Sequence, residues 1–235
     1  MKFLKINIAL FLLISFSISA QDINQFDADG KRDGIWKKAF DKTKVLRYEG
    51  AFLHGKEVGI FKFYKNIDGK AILAATRQFH EANTIADAKF YTSKGKLISE
   101  GQMDGKTYVG TWKYYQKNSN TLLILEHYDT IGRLEGERFV YYENGQIAEK
   151  QFYKEGKLEG ASVWYSEDNV TLKEFFYVNG ELHGMSKYYS TDGTLLVEGN
   201  YKRDKKDGIW KYYENGVLKE EKNFTYKPKY IKKSK

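Results

Sequence analysis

Along most of the chain, polar and apolar positions alternate one by one over short stretches, and each stretch ends at a glycine-bearing turn. TWKYY (Thr111 to Tyr115) and ERFVYY (Glu137 to Tyr142) have this period of two and are rich in aromatic and β-branched residues. That is the signature of a strand with two unlike faces, and no 3.6-residue period is sustained anywhere in the repeated region. The pattern also recurs. Aligned on the second aromatic of each pair, the register runs Tyr64, Tyr91, Tyr115, Tyr142, Tyr165, Tyr189 and Tyr213, with steps of 27, 24, 27, 23, 24 and 24 residues. In the first unit, GIWKKAF, Phe40 takes the place. Between the aromatic pairs lie two kinds of turn. One is Asn-Gly or its like (Asp68-Gly69, Asn144-Gly145, Asn215-Gly216) and the other is Gly-Lys-x-x-Gly (Gly55 to Gly59, Gly156 to Gly160). Two turns per unit leave two strands per unit, so the expectation is a meander of about sixteen antiparallel strands.

Tyr48-Glu49-Gly50, five residues, then Gly55-Lys56 and Gly59 resemble the MORN repeat, and the later Tyr-Tyr-x-Asn-Gly-x-Leu units resemble its bacterial variant. The resemblance spans residues 30–226. It implies an all-β, elongated antiparallel meander of about eight two-stranded hairpin repeats, forming a twisted, mostly single-layered sheet. Many members of the variant carry an antitoxin-type label, so the resemblance also implies a second reading: an antitoxin or immunity-type protein that neutralises a toxin by direct binding. The matching positions are turn glycines and sheet aromatics, with no catalytic motif among them.

Strand alternation sorts the aromatics into two faces. One face takes the register tyrosines with the residue two before, as in Tyr115 with Lys113 and Tyr213 with Lys211. The other is expected to collect Trp112, Tyr114, Phe139, Tyr141, Trp164, Tyr188, Trp210 and Tyr212 as a continuous aromatic stripe. Such a stripe holds the sheet together through cross-strand pairs, and it also offers a binding platform. The least repeat-like stretch, Ala71 to Ala88, replaces the usual Gly and Trp with Ala86 and Ala88 and is expected to form a longer hairpin, a bulge or a short insertion.

The ends are of a different kind. Lys2 and Lys5 precede an apolar run and SFSISA ending at Ala20, which reads as a secretory signal peptide, residues 1–20. Residues 21–29 then read as a linker, 30–226 as the repeat array and 227–235 as a basic tail. Export to the periplasm, cell surface or medium is the resulting expectation. There is no cysteine, which excludes a lipid-modified N-terminal Cys, a disulfide framework and a cysteine metal site. The formal charge of +8 falls to +6 without Lys2 and Lys5, and five of those charges are tail lysines, so the array is close to neutral. A near-neutral body argues against nucleic acid as partner. The tail could meet an anionic lipid surface.

Chemistry-bearing residues are scattered. The four histidines (His54, His80, His127, His183) belong to no motif, and there is no nucleophile elbow, His-Glu-x-x-His or phosphate-cradling loop. The sequence therefore reads as a non-catalytic scaffold without cofactor or metal. Its partner is expected to be a protein, with a glycan or anionic lipid as the other candidates.

Overall fold

The computed structural model describes residues 22–80 and 83–226, so the signal-peptide reading (1–20) and the basic tail (227–235) lie outside the described residues. Nineteen strands form one sheet. Sixteen are long: β2 (Arg32–Ala39), β3 (Leu46–Leu53), β4 (Lys56–Ile67), β5 (Lys70–Phe79), β6 (Ile85–Tyr91), β7 (Leu97–Asp104), β8 (Thr107–Tyr115), β9 (Leu122–Tyr128), β10 (Gly136–Tyr141), β11 (Ile147–Lys154), β13 (Gly160–Tyr165), β14 (Thr171–Val178), β16 (Gly184–Tyr189), β17 (Leu195–Lys202), β18 (Lys205–Glu214) and β19 (Val217–Asn223). Three are two-residue strands: β1 (Gln25–Phe26), β12 (Lys157–Leu158) and β15 (Glu181–Leu182). The long strands make the eight expected two-stranded units, each pairing antiparallel with the strands before and after it in sequence. No pairing among the described residues joins β19 back to β2, so the sheet is an open, all-β antiparallel meander.

Each long hairpin carries a bulge just before its turn, at Val140/Tyr141, Trp164/Tyr165 and Tyr188/Tyr189 for example. The extra residue re-aims the strand end and increases local twist. The bulges fix the register: the extra residue lies on the return strand (Ala74, Leu172 and Leu196, for example), and the first-strand residue at each shift, called here the bulge residue, is Tyr64, Tyr91, Tyr115, Tyr165, Tyr189 and Tyr213, as the sequence indicates. Two positions differ by one. Tyr141, not Tyr142, is the bulge residue of the fifth unit, and Ala39, not Phe40, that of the first. Tyr142 instead begins the turn, and its hydroxyl donates to the Tyr165 carbonyl oxygen at 2.7 Å. The Ala71 to Ala88 stretch begins in the longest hairpin, in which β4 and β5 pair from Gly59–Phe79 to Ile67–Lys70, and ends in β6 with Ile85 to Ala88.

The core is a narrow band running across the strands on one face, centred on Phe61, Ala88, Trp112, Ser162, Ser186 and Trp210 and widened by Phe52, Ala75, Ala86 and Met103. The residue three before the bulge in each first strand lies opposite a residue of the second strand: Trp36 opposite Gly50, Ala88 opposite Gly101, Trp112 opposite Glu126, Ser186 opposite Gly199. A single-layered sheet can bury a side chain only against its own neighbours, and here it does so by pairing a large ring with a missing one. A Cβ on Gly50, Gly101 or Gly199 would lie 2.4, 2.4 and 2.3 Å from the rings of Phe61, Trp112 and Trp210. Each ring therefore lies flat over a bare backbone, and the sheet packs against itself.

Within residues 21–29, which read as a linker, β1 pairs with β2 through Gln25–Asp33 and Phe26–Arg32. The reason lies in Trp36. In internal units the indole N–H donates to a carbonyl of the preceding strand, Trp112 to Gln102 at 2.9 Å and Trp210 to Asn200 at 3.0 Å. The first unit has no preceding repeat, and Gln25 supplies the carbonyl to Trp36 at 3.0 Å. Asn24 extends this cap by accepting from the Lys37 N–H at 2.8 Å.

Candidate recognition face

The row divides the marked aromatics into three groups. Trp112 and Trp210 are fully buried, with 0% exposure. Trp112 lies over Gly101 and under Tyr108, whose ring stacks on it at 3.8 Å. Trp210 lies over Gly199, with Tyr201 edge-on at 5.0 Å and the Lys206 ammonium 3.9 Å above its ring. These two tryptophans are the core itself.

Tyr114, Trp164, Tyr188 and Tyr212 lie on the same face, half-buried, where they flank the row. Tyr114 packs 6.2 Å from Trp112. Trp164 and Tyr188 sandwich Phe175 at 5.1 and 5.2 Å. Tyr212 lies below the ammonium groups of Lys206 and Lys222, at 5.6 and 5.0 Å.

Phe139 and Tyr141 stand apart from all of these. Because Tyr141 is the bulge residue, the position that corresponds to Trp112 is Arg138, and Phe139 and Tyr141 point to the opposite face, 6.1 Å from each other and with Lys150 5.5 Å over Phe139. A register slip of one residue exchanges the faces.

The aromatic stripe is consequently interrupted. In its middle Arg138 is bracketed by Glu126 at 3.3 Å, Glu149 at 3.4 Å and the Gln151 amide oxygen at 3.2 Å. The Tyr128 hydroxyl donates to Glu126 at 2.6 Å and that of Tyr153 to Gln151 at 3.1 Å. Burial, reinforced by the Glu126 carboxylate, pushes the Tyr128 phenol up to about 12. Two apolar segments thus lie on either side of a satisfied polar knot.

The opposite face carries a second repeated device. Tyrosine hydroxyls at the bulge positions donate to a glutamate on the preceding strand: Tyr64 to Glu49 at 2.7 Å, Tyr115 to Glu100 at 2.5 Å, Tyr189 to Glu174 at 3.0 Å and Tyr213 to Glu198 at 2.8 Å. The Glu of the Tyr-Glu-Gly signature therefore serves one face while its Gly serves the other.

At the N-terminal end of the row the ring face opens into a shallow depression of about 370 Å³, lined by Phe26, Trp36 and Tyr48 with Arg32, Lys37 and Lys38 around them. Arg32 places its guanidinium 4.9 Å over Trp36 and 5.2 Å over Phe52. Phe26 is 61% exposed. The feature was not legible in the sequence because Phe26 falls in the stretch read as linker.

The histidines stay dispersed. His54 stands 2.9 Å from Asp27, which raises its pKa and lowers that of the carboxyl. His80 stands 2.9 Å from Asp87, and His127 3.0 Å from the Thr111 hydroxyl. His183 lies in a turn with its N–H on the Phe176 carbonyl. Among the described residues no group of three or more His, Asp or Glu is placed to hold a metal ion.

Three segments of the chain, residues 134–155, 182–203 and 206–226, match the MORN repeat variant. These three segments are similar to MORN repeats of that variant type. Each matched segment covers one hairpin of the meander: β10 with β11, β16 with β17, and β18 with β19. The unmatched β13–β14 hairpin has the same bulge and register, so the repeat extends in structure beyond the matched sequence. No curated protein matches the chain. Among solved structures, a mutant of S. aureus TarM in complex with fondaparinux, alpha-GlcNAc-glycerol and UDP aligns at 11% identity and a TM-score of 0.26. The alignment covers 53% of this chain and 19% of that one, and a likeness at this level carries no argument.

Proposed function

We propose that this MORN-repeat sheet is an exported, non-catalytic recognition scaffold that binds a protein partner on its ring face. The observation that carries the reading is the depression at the N-terminal end, where three aromatics meet the Arg32 and Lys38 side chains with no second layer above them among the described residues. Aromatic and Arg side chains in one recess are the composition that dominates the energetics of protein recognition. The half-buried flank of Trp164, Phe175 and Tyr188 extends the same face. Repetition supports the non-catalytic part, since the Tyr–Glu pairs are equivalents of one another and a single active site needs an unrepeated constellation. A glycan would use the same aromatics, and an anionic lipid the basic residues.

The test begins with crosslinking capture from envelope and secreted fractions by the chain from Gln21, followed by titration of the purified partner against Phe26→Ala, Arg32→Ala and Trp164→Ala. Loss of affinity of about tenfold or more in variants with unchanged thermal melts supports the reading. Unchanged affinity in all three, or turnover of a substrate abolished by one substitution, defeats it. Gln21 as the first residue of the protein recovered outside the cytoplasm is the expected result for export.

A further inference from the structure

The near-neutral charge of the repeat array hides a segregation that the topology exposes. Each hairpin turn lies between a bulge residue and its partner on the return strand, and in this meander all eight hairpin turns fall on one rim of the sheet. The turns of the first four units, residues 40–45, 65–72, 92–96 and 116–121, carry seven lysines against two aspartates. Those of the last four, residues 142–146, 166–170, 190–194 and 214–217, carry five carboxylates and no lysine or arginine. The rim is therefore +5 over its N-terminal half and −5 over its C-terminal half. Lys96 spends its ammonium on the Gln116 and Lys117 carbonyls, at 2.6 and 2.5 Å. The other six lysines of the basic half are exposed, and none meets a carboxylate among the described residues.

This basic half adjoins the N-terminal depression. Lys38 and Tyr48, which line it, pair with each other one residue before the bulge, at the foot of the first turn. Arg32 lies over Trp36 and Phe52, and neither it nor Lys38 meets a carboxylate among the described residues. Arg138, on the same face, is by contrast held between Glu126 and Glu149. An aromatic recess and a run of unpaired cations are thus continuous. Six strand spacings separate the first basic turn from the fourth, roughly 29 Å, which an extended chain of about nine residues spans. Neighbouring strands of a sheet turn against one another, so the turn tips face in successive directions. An extended chain can follow them, whereas a flat lipid surface cannot meet them together.

We infer that the partner on the ring face is an acidic polypeptide segment: an apolar side chain seats against Phe26, Trp36 and Tyr48, and the carboxylates that follow it run along the basic turn rim of the first four units. The inference deepens the recognition reading above and rests on it. Charge on the rim steers the encounter and the recess supplies the anchor. The acidic half of the rim sets the direction, since it repels the same segment, and placing like charges together is how an interface rejects a wrong alignment.

The experiment is a fluorescence anisotropy titration of the chain from Gln21 to Lys235 against labelled peptides: a glutamate run led by one Phe, the same run led by Gly, and a glutamine run led by Phe. Circular dichroism melts confirm that each variant folds. The Phe-led glutamate peptide is expected to bind most tightly, with affinity falling as salt is added. Lys44→Glu with Lys65→Glu and Lys94→Glu should weaken it about tenfold. Lys154→Glu with Lys157→Glu and Lys202→Glu, an equal change of charge on the other rim, should weaken it less than about twofold. Phe26→Ala should abolish the preference for Phe over Gly. No binding of the Phe-led glutamate peptide at low salt overturns the inference. So does equal weakening by the two triple variants, or indifference to both, which assigns the contact to the basic tail. A Phe preference that survives in Phe26→Ala overturns it too, as do phosphatidylglycerol vesicles that bind more tightly than the peptide and respond to the same rim substitutions. The recognition reading is judged separately, by the loss of affinity of the captured partner in Phe26→Ala and Trp164→Ala.

Discussion

At the scale of single residues, this hairpin array works by subtraction. A glycine under each of Phe61, Trp112 and Trp210 lets a ring approach the backbone, so these glycines are needed for space and not for backbone conformation. Gly101→Ala is therefore expected to destabilise the protein by about 2 kcal/mol through overpacking, and to alter the near-ultraviolet dichroism of Trp112. Urea unfolding of the variant beside the wild type checks both. The opposite case is Ser186, buried at 0% exposure with an unpartnered hydroxyl, as is that of Ser162. A buried hydroxyl without a partner costs free energy that a methyl does not, so Ser186→Ala should raise stability by about 1 kcal/mol in the same measurement. Neither effect was legible beforehand. The sequence shows Gly101 as a repeat marker, but its closeness to the Trp112 ring depends on an adjacent strand, and nothing in the string distinguishes Ser186 from a solvated serine.

At the scale of the hairpin, most of the fold was legible and most of the site was not, for one reason. Period-two alternation and turn glycines define strands well, and the eight units follow from them. Which face a side chain takes depends on the position of the bulge, and Tyr141-Tyr142 offers two equally good candidates; choosing the second moved Phe139 and Tyr141 to the wrong side. Arg138 in the place of a tryptophan was the signal available, since its charge between Glu126 and Gln151 interrupts the stripe. The bulge tyrosines also give the hairpin a pH response. Burial first and then the glutamate partner push Tyr64, Tyr115 and Tyr189 up to about 12, while the donated hydrogen bonds hold the Glu49 and Glu100 carboxyls below their usual range. A raised phenol pKa adds stability that is fully present below pH 10 and is lost as pH rises toward 12. The lowered carboxyls add stability present above pH 4.5, lost as pH falls through their folded values. Tyrosinate absorbance should accordingly show a class titrating near 12 that appears together with loss of the β-sheet signal. Tyr115→Phe should remove one member of that class and raise the pH at which acid unfolding begins.

At the scale of the whole molecule, every long strand pairs only with strands adjacent in sequence, so each repeat meets its two neighbours and no distant element closes the structure. Stability in such an array is close to a sum of unit and interface contributions, which makes the unit a removable part. Deleting Gly160 to His183 joins Glu159 to Gly184 and so preserves the Gly-Lys-x-x-Gly turn. β11 would then receive β16 in place of β13, with Gln151 beside Ser186 where it had Ser162. The shortened chain is expected to fold as a seven-unit sheet with its melting temperature lowered by a few degrees, since one interface of roughly 1 to 2 kcal/mol is lost. Deleting only Gly160 to Val170 removes one strand in place of two. β14 would then have to take the place of β13 beside β11, which turns the later units over and breaks the ring row at that junction, so this chain should not give a single cooperative melt. Comparing the two deletions tests the repeat logic directly, because the smaller deletion is expected to do the greater damage.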